Sequence, residues 1–396
     1  MPISEKLGSL FRLKKKALTL TEPDALALFG AIPTRSGIQI GPGSAMRVPA
    51  VNCAVGLISD SVGTMPAKLY NRADKTAISK HPAHRLVHDE ANEWTSASEL
   101  RRQLTVDALL NDKGGFAHVV RLDDSTPAEL HRLDPSTVTQ DFRRDGEPFY
   151  TVRTDRGVIE YPFTDILHIQ AFGGVSPISL GREAIGLATA FEKHIASLFA
   201  NGGRPSGIIL AKKVMDTDAK KKLASSWFKT HSGENAGGTA LLDEGMDYRP
   251  LSMTLTDAQF AENRLEQIRE IARVFRVPPT MLFELTRGTW SNTEEMSRQF
   301  YTVTLKPWLV AWEWAYARVL LSPEERREHY IEFITADLLS TNETAKAEAY
   351  AKYRAMGALT ANEVREGLNR APHDDGNNLA NPYTTPGQVE DINNAA

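Results

Sequence analysis

Two consecutive prolines, Pro278 and Pro279, separate two segments that each carry a strong helical pattern. Proline has no N–H to donate and disfavours a helical conformation in the residue before it, so no helix runs through Val277-Pro278-Pro279. Upstream, DAQFAENRLEQIREIARVF sets Ala261, Leu265, Ile268, Ala272 and Phe275 on one face by steps of four and three. Glu262, Glu266, Arg269, Glu270 and Arg273 are left for the polar faces. Downstream, Ser291-x-x-Glu294 reads as a capping box and opens a helix predicted to reach about Leu321. At 1.5 Å per residue that helix is roughly 40 Å long, and Pro307 midway predicts a kink. Only a short loop, Glu284 to Asn292, joins the two helices; it carries Arg287, Thr289 and Trp290.

Another long helix precedes this pair. LGREAIGLATAFEKHIASLFANGG places Ile185, Ala188, Phe191, Ile195 and Leu198 on one face, and Gly202-Gly203 supplies the stop. Between it and the helix ending at Phe275 lies a compact α/β insert. The predicted parts are a strand at SGIILAK, a helix opened by Asp216, a Gly-rich turn and a strand at TALLD. Lys212, Lys213, Lys220, Lys221 and Lys222 crowd this insert, either as a solvated charged face or as a docking surface for acidic partners.

From Leu104 to Gln170 the pattern changes. FAHVVRL, ELHRL, STVTQDF, PFYTVRT, GVIEYPF and ILHIQA are short and rich in β-branched and aromatic residues, and DDSTP, DGEP and DRG turns separate them. They predict a small antiparallel β-rich domain. Before it, Val51, Ala54, Val55, Ile58 and Val62 form a helical stripe closed by Gly63 and Pro66, and residues 1 to about 40 read as a weakly ordered arm. After the kinked helix, Ser340-x-x-Glu343 and Thr360-x-x-Glu363 cap two more helices. The tail HDDGNNLANPYTTPGQVEDINNAA is too polar to fold alone. Trp308, Trp312, Trp314 and Tyr316 put four large rings into nine residues of one helix, so a neighbouring subunit is expected to cover part of them.

With 396 residues, 41% of them apolar, the chain is expected to build two or more compact units. A net charge of −4 argues against a broad basic surface that grips nucleic acid, because such grip comes from Lys and Arg neutralising phosphates. One cysteine, Cys53, allows no intrachain disulfide and no Cys-rich zinc site. No signal peptide or membrane span is expected, since no run of about eighteen apolar residues occurs.

The chemistry of an enzyme is hard to find. NGGRPSG and GENAGG lack the lysine-serine ending and the spacing of phosphate loops, and Ser226-Trp-Phe-Lys229 has no companion motif. His168 on an alternating strand reads as structural, and Asp123-Asp124 and Asp374-Asp375 sit in polar turns or tail where carboxylates keep ordinary pKa values. No catalytic residue, metal or cofactor is expected.

Taken in order, VNCAVGLISDSVGTMPAKLY, YPFTDILHIQ, LGREAIGLATAFEKHIASLFANGGRPSGIIL, IREIARVFRVPPTMLF and WSNTEEMSRQFYTVTLKPWL resemble the portal proteins of long-tailed phages. LLNDKGGFAHVVR departs from them where relatives commonly have Gly-Asn before an aromatic. The resemblance implies an α+β portal-type fold. Its parts would be an arm (1–40), a β-rich wing (41–180), a first stem helix (181–203), a clip (204–255), a second stem helix (256–283), a tunnel loop (284–292), a kinked helix with wing return (293–339), crown helices (340–372) and a flexible tail (373–396). It further implies a dodecameric ring at one capsid vertex, in contact with the major capsid protein, the large terminase subunit, a head-tail adaptor and, transiently, double-stranded DNA. On this reading Glu284, Arg287, Thr289 and Trp290 belong to the tunnel loop, Arg287 being matched against Glu284, while the insert lysines face terminase or adaptor. Trp290 either wedges against the start of the kinked helix near Phe300 or touches DNA. A DNA-processing enzyme and a monomeric adaptor are the alternatives.

Overall fold

The structure, a computed structural model, describes residues 34–200, 207–210, 216–222, 225, 247–250, 256–284, 293–335, 343–368 and 370–379. Helix α1 (Pro49–Thr64) begins on a proline whose missing N–H costs nothing at a helix start, and its stripe of Val51, Ala54, Val55, Ile58 and Val62 is wholly buried. Strand β1 (Ala67–Asn71), helix α2 (Pro82–His88) and helix α3 (Ala97–Leu110) follow. Ser96 caps α3 by accepting from the Glu99 N–H.

The six expected wing strands are present: β2 (Gly115–Arg121), β3 (Pro127–Leu133), β4 (Val138–Phe142), β5 (Pro148–Thr154), β6 (Gly157–Pro162) and β7 (Ile166–Ile169). They form two antiparallel sheets, ordered β3-β2-β7 and β4-β5-β6. The β-rich region was expected to begin at Leu104; instead α3 runs to Leu110. Its buried side carries Arg101 and Asp107 as well as Leu100, Leu104 and Ala108. The Arg101 guanidinium donates to the carbonyls of Val87, Gly63 and Met65, which are the ends of α2 and α1. Asp107 accepts two bonds from Arg132 on β3 at 2.6 and 2.7 Å. The Gly114-Gly115 corner after α3 leaves no room for side chains: a Cβ on Gly115 would lie 2.3 Å from the Leu104 carbonyl oxygen.

Helix α4 (Arg182–Ala200) leads into the insert, where β8 (Gly207–Leu210) pairs antiparallel with β9 (Asp247–Pro250). β9 lies beyond TALLD, and the strand expected at TALLD falls outside the described residues. Helix α5 (Thr256–Phe275) returns and packs on α4 and α1. Among the described side chains of the two long helices, those nearest the body, Ile185, Ile271, Ala272 and Phe275, are covered, while Ala188, Phe191, Ile195, Leu265 and Ile268 are half-buried.

Beyond the loop, α6 (Thr293–Gln299) passes into a π-helical stretch, Phe300–Leu305, and then α7 (Lys306–Leu320). Where a kink was expected, the chain makes a widened, π-helical turn just before Pro307. Lys306 N–H bonds to the Tyr301 carbonyl five residues back, making room for a ring that cannot donate. The chain then lays β10 (His329–Phe333) antiparallel on β1, Leu69 opposite Ile331, and ends in α8 (Glu343–Ala355) and α9 (Ala361–Gly367). Thr360 and Glu363 form the predicted capping box; Ser291 and Ser340 lie outside the described residues.

Two expected boundaries shift. Residues 34–40, assigned to the arm, are seated on the body: Thr34 and Ile40 are buried, and the Arg35 N–H donates to Glu183 at 3.1 Å. Residues 373–379, assigned to the tail, dock on α9, where Asn362 bonds the His373 carbonyl, the His373 N–H and Asn377. A polar segment that cannot make a core alone is ordered here by a helix that supplies its hydrogen-bond partners.

Candidate functional site

The site is built where α5 ends. Phe275 is followed by Arg276 in the left-handed region (φ 58°), with Val277 N–H bonded to the Ala272 carbonyl and Arg276 N–H to that of Arg273. This is a helix stop normally served by glycine, since a Cβ there is strained. Two contacts accompany it: the guanidinium lies 4.0 Å from the centroid of the exposed Phe172 ring, and the Arg276 carbonyl accepts from Thr304 in the π-helical turn. Pro279–Leu282 makes one 3₁₀ turn, and Phe283 is again left-handed. Thr280 Oγ1 meets Met296 Sδ at 3.0 Å, so the segments on either side of the loop are held together.

From Glu266 to Arg273 one face of α5 is ionic. Arg269 lies 3.4 Å from Glu266 and 3.3 Å from Glu284; Arg273 lies 3.2 Å from Glu266 and also pairs with Glu270. Glu284 therefore corrects the expectation that it balances Arg287 in an exposed loop. Its side chain is 5% exposed and tied to Arg269, because a carboxylate carried inward by the proline turn must find a cation. Arg287, Thr289 and Trp290 lie outside the described residues.

The aromatic cluster divides. Trp312 and Tyr316 are fully buried in their own chain, with the indole N–H donating to Thr105 at 3.2 Å and the two rings 5.0 Å apart. Packing between subunits, expected of all four rings, is therefore corrected for these two. Positions 309, 312, 316, 319 and 320 form the inward face of α7, so the large rings there fill the chain's own core. Trp314 points outward, 62% exposed, in line with the exposed Val310 and Val303. Trp308 is half-buried in a groove of about 380 Å³ whose rim includes Phe172, Leu180, Val303 and Arg276.

In the insert, Asp216 caps a helical segment, residues 217–222, by accepting from the Ala219 N–H at 2.6 Å. Lys220, Lys221 and Lys222 on it are exposed, while Lys212 and Lys213 lie outside the described residues. His168 is boxed in by the Phe116 ring, stacked at 4.3 Å. Its Nε2 lies 2.8 Å from the Lys113 carbonyl and its Nδ1 3.0 Å from the Tyr150 hydroxyl. A carbonyl only accepts, so Nε2 carries the proton and Nδ1 accepts from tyrosine. Burial lowers its pKa from 6.5 to about 4, which keeps the imidazole neutral. Burial likewise raises that of the Cys53 thiol, which lies against the Met281 carbonyl.

Two partly covered long helices thus flank a small insert, and a double proline and a π-helical turn follow the second of them. The family model described as phage portal protein matches residues 49–369, and the chain belongs to that family. It is 29% identical over 370 residues to the probable portal protein of Streptomyces phage phiC31, covering 89% of this chain and 80% of that one. With the portal protein of Enterobacteria phage HK97 it shares 24% over 372 residues, 86% of each chain. A solved structure described as the neck of a native gene transfer agent (GTA) particle, computed with C12 symmetry, is similar with a TM-score of 0.58 and 23% identity, covering 90% of this chain and all of that one. The family to which the chain belongs is structural rather than enzymatic.

Proposed function

We propose that twelve copies of this chain close into a ring at one capsid vertex, surrounded by the major capsid protein, and that double-stranded DNA passes through the ring during packaging and ejection. The observation that carries this reading is the half-covered stem: α4 and α5 leave apolar side chains partly open along their length, as helices do when neighbouring copies complete their cover. The C12 symmetry of the similar neck supports the same number. In this ring α5 forms the inner wall, Arg287, Thr289 and Trp290 face the channel, and the outward rings Trp308 and Trp314 pack against the next copy. The insert is the clip, where Lys220, Lys221 and Lys222, with Lys212 and Lys213, meet acidic surfaces of the large terminase subunit and later of a head-tail adaptor. Phosphate-bond chemistry belongs to the terminase.

Native mass measurement of the purified chain tests the ring. The expected species is about twelve times the chain mass of 43.8 kDa. A particle with the mass of one chain at all concentrations refutes the ring and leaves a monomeric adaptor.

A further inference from the structure

We propose that the basic stretch Arg12-Leu13-Lys14-Lys15-Lys16 docks on an acidic hairpin of its own chain, with one of its cations over the exposed Trp94 ring. The inference goes beyond the ring reading and stands without it.

Between α2 and α3 the short strands Glu90–Asn92 and Thr95–Ser96 pair antiparallel, with Glu93 and Trp94 at the turn. Trp94 is 74% exposed, yet it is held in place. Its backbone N–H donates to Asn92 Oδ1 at 3.2 Å, and the buried Asn92 side chain in turn donates to the Leu130 carbonyl at 2.8 Å. The indole lies 5.4 Å from the His131 ring, centroid to centroid. A large ring fixed in this way loses little freedom when a partner covers it. Its surroundings are acidic. The hairpin contributes Asp89, Glu90 and Glu93, and His131 brings Glu129, bonded to it at 2.7 Å. Against these four carboxylates stands one guanidinium, Arg85, which Glu90 holds at 2.8 Å. An aromatic face set among carboxylates favours a cation and repels phosphate.

The chain itself supplies such a partner. MPISEKLGSLFRLKKK carries Lys6, Arg12, Lys14, Lys15 and Lys16 against a single acid, Glu5. This stretch lies outside the described residues, which begin at Thr34, buried against Gly186 of α4. The 17 residues between Lys16 and Thr34 can span roughly 60 Å when extended, so the basic stretch can reach the hairpin. A tethered segment meets its site at an effective concentration on the order of 1 mM, so contacts too weak to hold a free peptide can keep it seated.

Limited trypsin digestion of the full chain, followed by mass spectrometry, reads how fast the bonds after Arg12, Lys14, Lys15 and Lys16 are cut. In the parent they should be cut at least about fivefold more slowly than in a synthetic peptide of residues 1–20, because cleavage follows the undocked fraction. Trp94→Ser should remove that protection, and so should Glu90→Gln, Glu93→Gln and Glu129→Gln combined, with thermal midpoints near the parent's. Raising sodium chloride should bring the parent toward the variants, since exposed charge contacts are screened. Equal cleavage of the parent and both variants would overturn the inference, as would protection that appears only when duplex DNA is added. A cross-link identifies which copy supplies the arm. With Cys53 changed to Ser, Leu13→Cys and Thr95→Cys joined by a short bismaleimide should run as one chain on a denaturing gel. A two-chain product would seat the arm of another copy on the hairpin and overturn the assignment to its own chain.

Discussion

Replacing His168 with Gln should remove much of the wing's sensitivity to mild acid. In the folded chain the imidazole titrates at about 4 rather than 6.5. Below 6.5 the unfolded chain therefore binds a proton that the folded chain refuses, and stability falls as the pH drops from 6.5 to 4. The full gap of about 2.5 pKa units corresponds to roughly 3 kcal/mol, of which about 2 kcal/mol is lost between pH 7 and pH 5. Glutamine can donate to the Lys113 carbonyl and accept from Tyr150 but does not titrate. His84 and His118, whose pKa values burial also lowers, add to the acid sensitivity of parent and variant alike, so the comparison cancels them. The assay is urea unfolding followed by tryptophan fluorescence at pH 7 and pH 5, at one protein concentration. The parent should lose about 2 kcal/mol more than the variant over this interval. Equal losses would show that His168 is not held neutral by its surroundings, and the tautomer argument would fall with it.

Trp312→Ala should cost about 3 to 5 kcal/mol and lower the yield of folded chain, because it empties a buried site within the chain. Trp314→Ser should leave the unfolding of the dissociated chain nearly unchanged while lowering the fraction of rings in native mass spectra; equal ring content would remove Trp314 from the interface. Changing Lys220, Lys221 and Lys222 together to Glu should preserve rings and abolish binding of terminase and adaptor in pull-down, and normal binding of both partners would return these lysines to the role of a solvated face.

Much of this architecture can be read from turn residues and periodicity. The wing strands were legible because DDSTP, DGEP and DRG mark their ends, and α1 because its stripe holds no polar residue. Helix α3 was missed for the opposite reason: Arg101 and Asp107 stand on its buried side, satisfied by carbonyls and by an arginine that only the fold brings near. Strand β9 was missed because four residues, DYRP, carry no alternation to detect. The division of the four rings was present in the sequence, since Trp312 and Tyr316 are four apart on the face of Leu309 while Trp314 is not, but counting rings hid it. Glu284 could not have been placed, because its partner Arg269 lies fifteen residues back across the proline turn.

The pairing of β1 with β10 also sets the order of events during synthesis. β1 emerges from the ribosome early, yet its partner follows about 260 residues later, a delay on the order of 10 to 50 s at ordinary rates of translation. Throughout that time the edge of β1 that receives β10 is open, and everything from α2 to the end of α7 is made before it can close. The nascent wing is thus a half-finished clasp, vulnerable to pairing with strands of other chains. A message broken anywhere before the codon for His329 yields a chain that cannot fasten it.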